Sequence, residues 1–120
     1  MSNKLVEVIA AAMQNIKANK IVDLDLRNLE NAISEHFIVC HGTSNTHVVS
    51  IAEAVEKEVK ETLGESPFQK EGYKNGEWIL LDYSSVVVHV FQENIREHYN
   101  IEDLWGDAEI TLIEEIKDLK

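Results

Sequence analysis

The chain has 120 residues, which suits a single domain that buries about two-thirds of the surface its unfolded form exposes. Its 22 acidic and 11 basic residues give a formal net charge of −11, which disfavours nucleic acid as the main contact and favours basic proteins. Ordinary solubility also accounts for an acidic surface. The single cysteine, Cys40, excludes an internal disulfide, and no apolar run approaches the about 20 residues of a membrane span, so we expect a cytoplasmic protein.

The first part of the chain predicts two helices separated by two strands. Apolar residues recur at helical spacing over residues 3–18, which indicates an amphipathic helix. Residues 21–26 alternate apolar and acidic side chains, as a half-buried strand does, and residues 37–41 predict a second, more apolar strand. Ser44 or Asn45 can accept a hydrogen bond from a free backbone N–H of a first helical turn, so the second helix is predicted to begin there.

Residues 78–91 predict a β-hairpin around a two-residue loop, Ser84-Ser85. Tyr83 is predicted to pair with Val86, and the pairing continues outward, one residue at a time on each strand, to Trp78 with Phe91. Side chains alternate between the two sides of a strand, so the hairpin has two different faces. One face is apolar and predicts core: Ile79, Leu81, Tyr83, Val86, Val88 and Val90. The other mixes aromatic, acidic and histidine side chains: Trp78, Leu80, Asp82, Val87, His89 and Phe91. This second face is either the centre of a protein-binding patch or a surface covered by a helix.

The remaining segments complete an α/β pattern. The second helix is predicted to end at Gly64, residues 65–76 to form a loop with at most a short strand, and residues 93–103 to form a short helix. This order predicts a sandwich with a mixed sheet of about four to five strands and flanking helices. We expect one domain over residues 1–108 and a C-terminal tail over 109–120. A short helix is predicted in the tail, since four apolar residues fall on one side: Leu112, Ile113, Ile116 and Leu119.

Two short segments suggest nucleotide chemistry. Asp23 and Asp25 lie on one side of a strand, a geometry that can hold Mg²⁺, and the turn at residues 42–44 can offer backbone N–H groups to a phosphate. In nucleotidyltransferases, however, the glycine turn precedes the acidic pair, whereas here it follows. A strand with one side in water produces the same acidic alternation, so a residual nucleotide-using transferase is kept only as an alternative.

No metal, cofactor or catalytic cysteine is predicted. None of the five histidines has the spacing of metal ligands with another histidine or cysteine: His36, His41, His47, His89 and His98. No basic cluster stands beside Cys40 to lower the pKa of its thiol, so we expect a buried small residue.

Several motifs, in order, resemble the ribosomal silencing factors, the Iojap-type proteins of bacteria and organelles. The resemblance extends from about residue 5 to residue 108 and rests on segments 40–44, 47–52, 78–82, 86–90, 96–99 and 102–105. It implies a nucleotidyltransferase-like fold that has no transferase activity, usually as a homodimer. The family is also similar to assembly factors of mitochondrial ribosomes.

The resemblance further implies a translation repressor that binds protein fourteen of the large ribosomal subunit and prevents the small subunit from joining. Carried over by position, the partner surface comprises Glu71, Trp78, Leu80, Asp82, Tyr83 and His89. Where the family commonly has Gly-Asp after Asp-Tyr, this chain has Ser84-Ser85. An acidic adaptor for another basic protein stays open as an alternative function.

Overall fold

The computed structural model describes residues 2–113, which form a mixed sheet with helices on both faces. In chain order the elements are α1 (Ser2–Asn15), β1 (Asn19–Asp25), β2 (His36–Gly42), α2 (Asn45–Leu63), β3 (Gln69–Glu71), β4 (Trp78–Asp82), β5 (Val86–Gln92), α3 (Glu93–Tyr99), α4 (Ile101–Leu104) and β6 (Glu109–Ile113). The strands lie in the order β3-β4-β5-β2-β1-β6. Strands β2 and β5 are parallel, and the other neighbouring pairs are antiparallel. The α/β class and the mixed sheet are confirmed.

The predicted hairpin register is also confirmed. Trp78 pairs with Phe91, and the register continues inward to the pair of Asp82 with Val87. Beyond that pair, the Tyr83 N–H donates to the Val86 carbonyl at 2.9 Å, which leaves a two-residue loop between them. The alternation of side chains in the sequence was therefore sufficient to assign both faces of the hairpin.

The first face of the sheet is closed by the two long helices. α1 and α2 pack side by side over it, and the apolar hairpin face lies beneath them in the larger core cluster, as predicted. Cys40 is fully buried in this cluster, and burial raises the pKa of its thiol to about 12. A thiol in this environment is unreactive and fills space in the core, as the sequence suggested.

The ends of α2 are fixed by the residues that the sequence indicated. The Ser44 hydroxyl accepts a hydrogen bond from the His47 N–H at 3.1 Å. Gly64 has φ 72°, a conformation that glycine adopts at little cost, and its N–H donates to the Lys60 carbonyl. Within the described residues, no helix is both long and apolar enough to cross a lipid bilayer.

The predicted helix over residues 93–103 is interrupted. Asn100 adopts φ 46°, in the left-handed region, and its N–H closes α3 on the Arg96 carbonyl before α4 begins at Ile101. Asparagine tolerates this backbone conformation better than most residues, because its short polar side chain can bond locally. Two short helices therefore replace one continuous helix.

The prediction of a helix in the C-terminal tail is wrong for its first part. Residues 109–113 form β6, which pairs antiparallel with β1, for example Ile110 with Leu24 and Leu112 with Val22. Apolar residues at 110 and 112 satisfy the two-residue period of a strand, and the unpaired edge of β1 supplies the backbone partners. The sheet consequently has six strands. Ile116 and Leu119 lie outside the described residues.

Candidate functional site: the second face of the sheet

The second face of the sheet is only partly covered. Residues paired across neighbouring strands point to the same side, so Glu71, Leu80 and His89 form one row. Over the central strands lie α3, α4 and Trp105, whose ring centroid is 5.9 Å from that of Phe37. The end formed by β3 and β4 remains open. Helices therefore cover the central part of this face, and the end at β3 and β4 is the part that could form a protein-binding patch.

Of the six residues expected at the partner surface, four are at least partly exposed on this open end. We call them the β4 surface: Glu71, Trp78, Leu80 and Asp82. Tyr83 lies on the opposite face, in the core beneath α1 and α2, and is 4% exposed. Burial, together with the charges of Glu56 and Glu65, raises the pKa of Tyr83. His89 lies on the same face as Leu80 but is only 5% exposed. Neither Tyr83 nor His89 is available for direct contact in this conformation.

Trp78 is the largest side chain of the β4 surface, and its orientation is fixed by three neighbours. Its ring centroid lies 4.8 Å from that of Phe91 and 4.9 Å from that of Tyr99. Its indole N–H donates to His89 Nδ1 at 3.1 Å. An aromatic side chain held in this way loses little conformational entropy when a partner covers it. Tyr99, which the sequence suggested to be mainly structural, is itself more than half exposed.

His89 supports Trp78 from below. Because Nδ1 accepts the indole hydrogen bond, the ring proton of the neutral imidazole lies on Nε2, which has no partner within the described chain. Burial lowers the pKa of His89 to about 4, so the ring is neutral at pH 7. The neutral form is the one that can accept from Trp78. The role of His89 at this surface is to hold the indole in place.

Asp82 has a defined position at the mouth of the hairpin. Its Oδ1 accepts a hydrogen bond from the Ser84 N–H at 2.7 Å, and its carbonyl accepts from the Phe68 N–H at 2.8 Å. Ser84 itself has φ 76°, and the Ser85 N–H donates to the Tyr83 carbonyl across it at 3.0 Å. The hydrogen bond between the Ser84 N–H and the Asp82 side chain thus stabilises a tight turn in which a serine, and not a glycine, has the positive φ.

The sequence did not predict a buried ionic cluster at the base of α3. Arg96 is 7% exposed and donates two hydrogen bonds to Glu102, at 3.1 and 2.9 Å, and a third to His41 Nδ1 at 3.0 Å. Burial, and then the charge of Arg96, lower the pKa of His41. Residues six apart do not face each other on a continuous helix, so the break at Asn100 is what allows Arg96 to reach Glu102. The cluster fixes the two short helices to the end of β2.

The acidic pair and the glycine turn do not form one site. Asp23 bonds to His36 at 2.8 Å, and Asp25 forms an ion pair with Arg27 at 2.6 Å. The hydrogen bond from Arg27 lowers the pKa of Asp25 to about 2, against the opposing effect of burial. Because Asp25 pairs with His36 at the start of β2, it is roughly 20 Å from Gly42 at the end of that strand.

The turn after β2 has its own internal partner. His47 Nδ1 accepts from the Thr43 N–H at 3.0 Å, and His47 Nε2 donates to the Ile16 carbonyl at 2.8 Å. These bonds occupy the backbone donor that a phosphate would need and connect the turn to the end of α1. Among the described residues, no group of three or more His, Cys, Asp or Glu side chains is placed to hold a metal ion.

Comparisons with known proteins identify the family. Residues 1–120 match the model of the family described as "Ribosomal silencing factor during starvation". A relative named ribosomal silencing factor RsfS from Halalkalibacterium halodurans is 38% identical over 109 residues, covering 90% of this chain and 92% of that protein. The protein of the same name from Bacillus subtilis is 36% identical over 107 residues, covering 87% and 86%.

Relatives and solved structures agree with this match. The chloroplastic Iojap protein of Zea mays is 33% identical over 103 residues, covering 83% of this chain and 42% of that protein. A crystal structure from Chromobacterium violaceum superposes with a TM-score of 0.81 at 35% identity, covering 87% of this chain and 85% of that one. The matched family consists of ribosome regulators that are not enzymes. The chain belongs to the family of ribosomal silencing factors.

Proposed function

We propose that this chain represses translation by docking its β4 surface on protein fourteen of the large ribosomal subunit, where it blocks the joining of the small subunit. The observation that supports this most is the partly buried Trp78, held in place by His89, Phe91 and Tyr99. Large aromatic side chains at the centre of a rigid patch are the usual energetic anchors of protein interfaces. We further propose that the protein acts in the cytoplasm, without a cofactor.

Charge supports a basic protein as the partner. Glu71 and Asp82 lie beside the apolar Trp78 and Leu80 on the β4 surface, and the whole chain carries a net charge of −11. An acidic surface steers a basic partner during encounter and penalises acidic ones. The arrangement, an apolar centre with acidic neighbours, matches the anatomy of a specific interface.

Size supports a steric mechanism. The described residues have a radius of gyration of 13.3 Å and extents of 40 × 35 × 33 Å. A body of these dimensions obstructs a joining surface from a neighbouring site but does not reach a distant catalytic centre. We also propose that the fold is of the nucleotidyltransferase-like type without transferase activity, and that the free protein is a homodimer.

The test is the order of addition in a subunit-joining assay. Light scattering of mixed subunits should show reduced association when the protein is first incubated with large subunits. Preformed ribosomes should resist the protein, because the small subunit already occupies the contested space. Inhibition of preformed ribosomes at the peptide-bond step, with subunit joining unaffected, would contradict steric exclusion.

A further inference from the structure

A groove lies beside the β4 surface, at the end of the sheet where the hairpin turns. It has a volume of about 440 Å³ and is lined by Ile33, Ser34, Phe68, Gln69, Asp82 and Ser84. Two large apolar side chains contribute to its walls, Ile33 with 85% of its surface exposed and Phe68 with 77%. Asp82 belongs both to the groove and to the β4 surface, so the two surfaces are continuous.

The walls of the groove are tied to the hairpin. On one side, the Phe68 N–H donates to the Asp82 carbonyl at 2.8 Å. On the other side, the Glu35 N–H donates to the Ser85 carbonyl at 2.8 Å. Between them, the Asp82 carboxylate accepts from the Ser84 N–H at 2.7 Å. Backbone hydrogen bonds therefore set the positions from which the two apolar side chains project.

We propose that this groove receives one long basic side chain, Arg or Lys, of the ribosomal protein that docks on the β4 surface; the inference rests on the proposed function. The methylene groups of such a side chain pack against Ile33 and Phe68, and its cationic end reaches the Asp82 carboxylate. The ring of Phe68 adds an attraction for the cation. Ser34, Gln69 and Ser84 supply polar groups for its remaining N–H donors.

The chemistry of the groove disfavours other occupants. A purely apolar side chain would bury the Asp82 carboxylate without a counter-charge, which is costly. A second copy of this chain would bring another net charge of −11 towards an acidic groove, so the proposed homodimer is expected to form through a different surface. Arg27, the basic residue of the loop that contains Ile33, is paired with Asp25 and not with Asp82. The long basic side chain satisfies both the apolar walls and the carboxylate.

The test is binding of purified variants to isolated large ribosomal subunits. We expect Phe68→Ala to weaken binding at least about threefold and the Ile33→Ala, Phe68→Ala double variant about tenfold. Asp82→Asn should weaken binding and also reduce the effect of Phe68→Ala, because the two groups act on the same side chain. The matched control is Leu112→Ala, at the opposite edge of the sheet, whose side chain is 65% exposed and should not affect binding.

Two further results separate this inference from the proposed function. If Trp78→Ala weakens binding while the Ile33 and Phe68 variants bind as the unmodified chain does, the groove is overturned and the β4 surface stands. If the unmodified chain does not bind large subunits, the proposed function is wrong, and the inference about the groove is wrong with it. Equal urea midpoints for Phe68→Ala and Leu112→Ala establish that a difference in binding does not arise from folding.

Discussion

The two faces of the sheet are formed by the same strands but are covered by different amounts of helix. On the first face lie α1 and α2, of 14 and 19 residues, and the strand side chains beneath them are fully buried. On the second face lie α3 and α4, of 7 and 4 residues, and the cover extends to β4 at Trp78, which Tyr99 of α3 contacts. The first face therefore resembles an ordinary core, whereas the second retains a tryptophan that is only partly buried.

Buried polar groups occur on both faces but have different neighbours. On the first face, His36 lies in register with Val86 and bonds to Asp23 at 2.8 Å. The second face includes His89, whose ring nitrogen holds Trp78, and the Arg96 guanidinium anchors the helices that cover it. Buried polar groups are costly unless they are paired, and they fix geometry more strictly than apolar contacts do. We infer that the first face contributes mainly to stability, whereas His89 and Arg96 on the second face position the proposed partner surface and the helices beside it.

The most severe test of this comparison uses two adjacent leucines. Leu81 points into the first face and is fully buried, so Leu81→Ala should lower the free energy of unfolding by about 3 kcal/mol and leave binding by the folded fraction unchanged. Leu80 points to the second face and is half-buried, so Leu80→Ala should cost about 1 kcal/mol in stability but weaken ribosome binding about tenfold. Urea denaturation and co-sedimentation with large subunits measure both quantities. Similar effects of the two substitutions on both quantities would remove the distinction between the faces.

The second prediction concerns His89 and pH. Its pKa is about 4 in the folded chain and about 6.5 when unfolded, so between these values the unfolded state binds the proton more readily. The contribution of the neutral ring to stability should be complete above about pH 6.5 and should fall by roughly 3 kcal/mol as the pH drops to about 4.

The matched variant for this prediction is His89→Asn, which keeps an acceptor near the Trp78 indole but does not titrate. Urea midpoints measured from pH 7 to 4 should fall less steeply for the variant than for the unmodified chain. His41, whose pKa is also lowered, is present in both proteins, so only the difference between them reports on His89. Parallel pH profiles would show that His89 is not the buried neutral group described here.

The third prediction concerns the anchor of the β4 surface. Trp78→Ala should weaken binding to large subunits by about 2 kcal/mol, or roughly thirtyfold, because a central aromatic side chain is lost. Trp78→Phe keeps a ring against Phe91 and Tyr99 but loses the indole hydrogen bond to His89, so its effect should be smaller. Affinity is measured by co-sedimentation at fixed salt. A variant that unfolds while its residual folded fraction binds normally would assign Trp78 to the core.

The smallest predicted effect lies at the turn that connects the two hairpin strands. Ser84 has φ 76°, which is costly for any residue except glycine, so Ser84→Gly should raise the free energy of unfolding by about 0.5 kcal/mol. Ser85, which is not among the residues with positive φ, is the control: Ser85→Gly should lower stability by a similar amount. Chemical denaturation distinguishes the two variants, and a loss of stability in both would show that the turn is not strained.

The hairpin was predictable because its information is local. Alternation along residues 78–91 and a two-residue loop determine the register and both faces, and the apolar face was assigned to the core correctly. The residues of the second face were also identified, but not how far it is covered. That depends on where α3 and α4 dock, which involves long-range contacts such as that of Arg96 with His41 and the packing of Ile101 on the sheet.

The sequence-based predictions of secondary structure were wrong in two kinds of segment. In one kind, the apolar residues fit the spacing of a strand as well as that of a helix; in the other, a single residue interrupts a helix. Ile110 and Leu112 fit a strand, while the apolar residues around them also fit a helix, and only the free edge of β1 decides between these. The break at Asn100 has no periodic signal either. The groove beside Asp82 was missed because Ile33 and Phe68 lie in loops that converge only in the folded sheet.

The burial of Cys40 makes its thiol a probe of global unfolding. Its thiol is the only one in the sequence and lies fully inside the core, with its pKa raised to about 12. A thiol reagent can modify it only after the sheet and the long helices separate, since no small local movement exposes a central strand. The rate of alkylation therefore reports how much of the protein is globally open, and a bound ribosomal partner should slow that rate about tenfold for each 1.4 kcal/mol of stability that it adds.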